Sequence, residues 1–213
     1  MTYPVPSPAL RRSLETATAE YQNQLAGSPG EPVLLGRGLT PKIIEYFRLG
    51  YVSSPISGDE SFRGRISVPY LTQSGVVSSV YKALDKDAPN KVLVHTGTAK
   101  RPYGVRALTS TKPILIVEGE PDVWAAAVCG LPAVGIPGAT NWQYTWRRIF
   151  RRHDLIVVAD GDEAGTAMVE RVMKDVVPVA RTARLVTSPP KEDLNSMLIK
   201  HGVDGVKEWL SLE

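Results

Sequence analysis

Ile114-Leu115-Ile116-Val117-Glu118-Gly119-Glu120-Pro121-Asp122 and Leu155-Ile156-Val157-Val158-Ala159-Asp160-Gly161-Asp162-Glu163-Ala164-Gly165 are built alike: four or five apolar residues in a row, then an acid. Unbroken apolar runs of this length predict strands buried on both faces, as in a parallel sheet covered by helices. In such sheets ligands and reactive groups gather at the carboxyl ends of the strands. Glu118, Asp160 and Asp162 are therefore expected on one rim, although 42 residues separate the first two. Carboxylates crowded together repel one another unless a hard divalent cation neutralises them. The expected chemistry is that of a magnesium-dependent phosphate site. A single acid after a buried strand is ordinary, because the loop there is wet. Asp122, a secondary acid of the set, and Glu163 also suit the positive end of a helix dipole.

Outward from these two runs the pattern alternates. Strands are expected at Ile114–Val117, Ala133–Ile136, Leu155–Ala159 and Ala183–Val186. Helices are expected near Asp122–Cys129, Tyr144–Arg152, Ala164–Val177, Asp193–His201 and Val203–Leu210. Alternation of this kind implies a parallel sheet with right-handed crossovers. The first half reads differently. Met1 to Pro8 carries three prolines and reads as a mobile tail, Ala9 to Leu25 as a helix, and Gly27 to Pro32 as a break. Thr40 and Pro41 open a second helix with Ile43, Ile44 and Phe47 on its buried side. Arg65 to Lys82 alternates as a hairpin turning at Gln73-Ser74-Gly75, and Lys91 to His95 is one more strand. The expected fold class is α/β, with a parallel sheet flanked by helices over residues 111–213. A smaller α+β domain precedes it over 33–110, and residues 1–32 form an N-terminal tail and helix.

Charge is divided unevenly. Residues 1–110 hold 13 basic and 8 acidic side chains, a balance of +5, and the remainder holds 12 and 14, a balance of −2. A basic half beside an acid-bearing half suits a polyanion held by one and processed by the other. Cys129 is the single cysteine, which excludes an internal disulfide and any multi-cysteine zinc site. No run is long and apolar enough to cross a membrane and no signal peptide is visible, so a soluble cytoplasmic protein is expected.

A strand ending in Glu118-Gly119, followed by one ending in Asp160-Gly161-Asp162-Glu163-Ala164-Gly165, resembles the Toprim domain of bacterial-type primases, topoisomerases and some nucleases. Arg37-Gly38-Leu39-Thr40 and Phe47-Arg48-Leu49-Gly50-Tyr51 resemble segments of bacterial-type primase cores. So do Arg65-Ile66-Ser67-Val68-Pro69-Tyr70, Lys91-Val92-Leu93-Val94-His95-Thr96 and Tyr103-Gly104. The match runs in order from about Leu35 to Asn195 and is similar to a compact phage or plasmid primase core. The resemblance implies a Toprim-type sheet and synthesis of short primers on single-stranded DNA by metal-dependent nucleotidyl transfer. It places Glu118, Asp160 and Asp162 in catalysis, and the same three with Asp193 and Asn195 on Mg²⁺ or Mn²⁺. It sets Arg63, Arg65, Lys82 and Lys91 against nucleoside triphosphate or template. Two departures stand out. Val77-Ser78-Ser79-Val80-Tyr81 replaces a glycine-rich strand, and Asp193-Leu194-Asn195 replaces a late Asp-Pro-Asp, so one ligand brings no charge.

The family's zinc module is missing from this chain, so a separate zinc-binding primase subunit is an expected partner, beside a replicative helicase. Trp142 to Arg152 puts Arg147 and Arg148 among aromatic residues. Arg147 with Arg151, and Arg148 with Arg152, would stand one helical turn apart, either a basic face suited to single strands or four solvated arginines outside a core of Trp146, Ile149 and Phe150. Two other functions use the same residues: a Toprim-type nuclease that places water on a phosphodiester, and a non-catalytic single-stranded-DNA-binding replisome module.

Overall fold

A computed structural model of the chain describes residues 6–85, 87–138 and 140–212, with the side chain of Ala164 left aside. The tail expected at the N-terminus thus falls mainly outside the described residues. The chain forms two compact units, Met1–Ala99 and Lys100–Glu213.

The first unit opens with α1 (Pro8–Asn23). Ser7 caps it, accepting from the Leu10 N–H at 3.2 Å, and Pro8 fits its first turn. Leu14, Ala17 and Tyr21 recur at helical spacing and are buried. Where the sequence predicted only a break, a short helix α2 (Gly30–Gly36) forms. Glu31 lies in its first turn, and its carboxylate accepts from the Gly27 N–H at 2.7 Å, holding the loop that leads in. Helix α3 (Pro41–Tyr46) starts at the Thr40 cap as expected. An antiparallel sheet follows in the order β1 (Gly50–Tyr51), β2 (Ile66–Thr72), β3 (Gly75–Lys82), β4 (Val92–Leu93). The strand expected over Lys91 to His95 shrinks to the two residues that pair with Tyr81 and Lys82.

A polar knot sits in this core. Asp59, 4% exposed, accepts hydrogen bonds from Tyr21 Oη at 2.6 Å and Tyr81 Oη at 3.2 Å, with His95 Nε2 3.1 Å from its other oxygen. Burial and the adjacent carboxylate push both tyrosines well above the ordinary phenol range.

In the second unit all four strands run parallel, in the order β6 (Ala133–Gly135), β5 (Ile114–Val117), β7 (Asp154–Ala159), β8 (Thr182–Thr187). Both central strands are buried along their apolar runs, as continuous hydrophobicity requires. Helices α4 (Glu120–Val128), α5 (Glu163–Val176) and α6 (Leu194–Trp209) follow β5, β7 and β8. The two helices expected at the C-terminus are the two arms of α6, broken at Gly202, whose φ of 67° and ψ of −173° are non-helical.

The helix expected over Tyr144–Arg152 is corrected. Tyr144–Phe150 is a 3₁₀ segment that buries Trp146 and Phe150. Arg151 leaves it in an extended conformation, and Arg152 turns at a φ of 63° to feed β7. With about three residues per turn and an early exit, the stacked arginine pairs of an α-helix do not form.

Candidate active site on the carboxyl rim of the parallel sheet

The order β6-β5-β7-β8 places the reversal of chain direction across the sheet between β5 and β7, the point where ligands settle in open parallel sheets. Pairing of Ile114 with Leu155 and Ile116 with Val157 continues to set Glu118 beside Ala159, and hence near Asp160. On the other flank Ala159 pairs with Thr187, and the Ser188 N–H donates to Ala159 O at 2.9 Å.

Asp160 is the centre of this rim. Burial raises its carboxyl to about 8, helped by the negative charges of Asp122, Glu118, Asp193 and Asp162 in that order. Four acids therefore converge on a fifth. Asp122 is buried on α4, and its Oδ1 accepts from the Asn195 N–H at 3.1 Å. Asp162 caps α5, accepting from the Gly165 N–H at 2.7 Å, and Asp193 caps α6, accepting from the Ser196 N–H at 2.6 Å. Asn195 is buried in the first turn of α6.

Gly161 holds Asp160 and Asp162 in place. Its N–H donates to Glu192 O and its carbonyl accepts from the Lys191 N–H, both at 2.9 Å. A Cβ there would strike Pro189 O, with Pro189 C at 2.8 Å and Lys191 N at 2.9 Å. Only glycine lets the 189–192 loop lie against the turn, and that loop delivers Asp193. Gly165 is equally confined, its missing Cβ falling 2.7 Å from Asp160 O. Beside the acids lies a cavity of about 640 Å³ whose walls include Asp160, Asp162, Thr166, Glu170 and Ser188.

One site residue was missed in the sequence. Ser188 is buried on the cavity wall, and its Oγ has no hydrogen-bond partner. Only the register of β8 on β7 could have pointed to it.

The basic candidates fall in two places. Arg63, Arg65, Lys82 and Lys91 belong to the first unit, around the start of β2, the end of β3 and the start of β4. The pairing of Lys82 with both Ile66 and Val92 brings three of them to one end of that sheet. Arg63 donates to Ser53 O, and Arg65 to Asn90 O at 2.8 Å, so each braces a loop. Lys91 is exposed and Lys82 half-buried. Arg147 and Arg148 lie in the second unit on the 3₁₀ segment, away from the acids.

Residues 113–204 match the Toprim domain family model. The chain is 34% identical to the Gene 57 protein of Mycobacterium phage D29 over 154 residues, covering 69% of this chain and 98% of that one. It is 25% identical to the DNA primase of Haemophilus influenzae, covering 89% of this chain but 40% of that one. The chain thus spans well under half the length of such bacterial primases. Among solved structures it superposes on a DnaG catalytic core with a TM-score of 0.79 at 23% identity, covering 95% of this chain and 79% of that one. It also superposes on the RNA polymerase domain of Mycobacterium tuberculosis primase DnaG, with a TM-score of 0.77 at 19% identity, covering 97% and 84%. The two superpositions establish the fold. The chain belongs to the Toprim-containing family of bacterial-type, phage-like primase cores.

Toprim primases are metal-dependent. Among the described residues no three acid, imidazole or thiol groups stand close enough to enclose an ion. Asp162 and Asp193 each turn one oxygen toward a helix N-terminus. The donor chemistry nonetheless fits a hard cation. Every candidate ligand is an oxygen, burial together with the neighbouring acids raises the Asp160 carboxyl, and Ser188 Oγ has no hydrogen-bond partner on the wall of the same cavity.

Proposed function

We propose that the chain is a DNA primase core that synthesises short primers on single-stranded DNA by nucleotidyl transfer. The observation that carries this reading is the convergence of Glu118, Asp122, Asp160, Asp162 and Asp193 at the switch point between β5 and β7, in a chain whose elements follow a primase core in order. Glu118, Asp160, Asp162 and Asp193, with Asn195, would hold Mg²⁺ or Mn²⁺. When bound, such ions offset triphosphate charge and stabilise the charge that develops during attack on the α-phosphorus. The protein's own part is positional. The Gly161 turn fixes Asp160 and Asp162 against the loop bearing Asp193, and α5 and α6 present their positive ends to the rim. Asp160, whose carboxyl burial raises to about 8, would have to give up its proton to hold such an ion, which would make cation binding pH-dependent.

The DnaG primase catalytic domain bound to single-stranded DNA superposes on the chain with a TM-score of 0.78 at 22% identity, which supports single-stranded DNA as the template here. In the first unit the basic end of the antiparallel sheet would meet template or triphosphate through Lys82 and Lys91. A zinc-bearing partner subunit would supply start-site choice. Incubation with single-stranded DNA, nucleoside triphosphates and Mg²⁺ or Mn²⁺ tests the reading. New oligonucleotides support it. A shortened template would make the chain a nuclease, and retention without turnover a binding module.

A further inference from the structure

The arginines that fail to stack on a helix do something else. Arg147, Arg148, Arg151 and Arg152 surround a cavity of about 370 Å³ closed by Pro178 and Val179. Its floor is tied by the Arg152 N–H donating to Val179 O at 3.0 Å. Among the described residues none of the four arginines is paired with a carboxylate. Arg147 lies over the Tyr144 ring, its guanidinium carbon 4.0 Å from the ring centre, and Tyr144 is 58% exposed.

Location separates this pocket from the acids. Arg151 and Arg152 lie just before β7, with only His153 between, and Asp160 immediately follows it. Six strand residues at about 3.3 Å each put the two sites about 20 Å apart, at opposite ends of one strand. A nucleotide reacting at the acid rim does not reach the arginines.

The chemistry selects the ligand. Four unpaired guanidinium groups around one pocket match the oxygens of phosphate esters, to which arginine can bind bidentately. Carboxylates share that match, but the exposed ring of Tyr144, held against the pocket's own Arg147, adds a stacking surface, which bases use and acidic side chains do not. We propose that this pocket holds backbone phosphates of a single-stranded polynucleotide, with a neighbouring base on Tyr144, as an anchorage separate from the acid rim. The anchorage does not depend on the reaction catalysed there.

The test is fluorescence anisotropy with a labelled thirty-nucleotide oligo(dT), in EDTA and without nucleotides, at several salt concentrations. Its outcome is thus independent of primer synthesis. Arg148→Gln/Arg152→Gln should lower affinity about tenfold. It should also reduce the slope of log K against log salt by about 1.4, two phosphate contacts at about 0.7 each for a single strand. Tyr144→Ala should lower affinity and leave the slope unchanged. An unaltered melting temperature shows that the variants fold. Unchanged affinity and slope in the folded double variant would overturn the proposal. So would tighter binding of poly-glutamate than of oligo(dT), which would assign the pocket to an acidic peptide. Pyrophosphate displacing the oligonucleotide at equal phosphate concentration would also overturn it, in favour of a small anion.

Discussion

Replacing Gly161 with alanine is expected to disable the acid rim while leaving the chain folded. The added Cβ would meet only backbone: Pro189 O, Pro189 C at 2.8 Å and Lys191 N at 2.9 Å. Unlike the end of a long side chain, these atoms cannot swing away. Either the turn and the loop part or they stay and overpack. Parting removes two 2.9 Å hydrogen bonds, at about 1 kcal/mol each. Overpacking costs about 1–3 kcal/mol. Both routes give about 2 kcal/mol, a fall in melting temperature of roughly 5–10 °C. Function should suffer far more. Relief of the contact moves Asp160 and Asp162 away from Asp193 by about 1 Å, and a misplacement of that size costs about 100-fold in rate. Gly36→Ala is the control, because its Cβ meets nothing within 4 Å at the end of α2. The assays are primer extension on a preformed primer–template and Mg²⁺ titration followed by melting temperature. Wild-type extension and Mg²⁺ affinity in Gly161→Ala would refute the reasoning.

Three further outcomes are expected. Asp160→Asn should lower synthesis by more than about 100-fold. Because the folded Asp160 titrates near 8 rather than 3.8, its stability contribution is complete below pH 3.8 and is lost as pH rises toward 8. In EDTA the wild type should therefore lose a few kcal/mol between pH 4 and 8, at about 1.4 per pKa unit. Asp160→Asn should flatten that slope, and Mg²⁺ should reduce it in the wild type; equal slopes in all three scans would contradict the carboxylate cluster. Tyr21→Phe, which strips a 2.6 Å hydrogen bond from buried Asp59, should destabilise the first unit by about 1–3 kcal/mol in urea unfolding, and an unchanged midpoint would show the knot to be slack. Lys82→Ala and Lys91→Ala should each weaken template binding and cut the salt slope by about 0.7, and identical slopes would return both lysines to the solvent.

What could be read in the sequence was whatever depends on local pattern. The apolar runs ending at Glu118 and Asp160 show their strands, and Thr40-Pro41 marks the start of α3. Gly202 shows as a gap between two helical patterns and appears as a break in α6. What could not be read depends on register or on backbone contacts far apart in the chain. Ser188 joins the rim only because β8 pairs with β7 so that Thr187 lies beside Ala159. The need for glycine at 161 comes from a loop nearly thirty residues later. The Trp142–Arg152 stretch has the composition of an amphipathic α-helix, but burial of Trp146 and Phe150 and the turn at Arg152 override that periodicity.

Two of the site's acids also hold down the first turns of helices, and this gives the site built-in reporters. The Gly165 and Ser196 amide protons rest on Asp162 and Asp193. Their hydrogen-exchange rates therefore register whatever pulls on those carboxylates. Fraying of either helix start frees an acid to drift, so the stiffness of the site is the local stability of two helical turns rather than of the sheet beneath them. Occupancy at the rim can then be followed one amide at a time, without a turnover assay, and a substitution that loosens α5 or α6 well away from the acids blunts the site through the same two bonds.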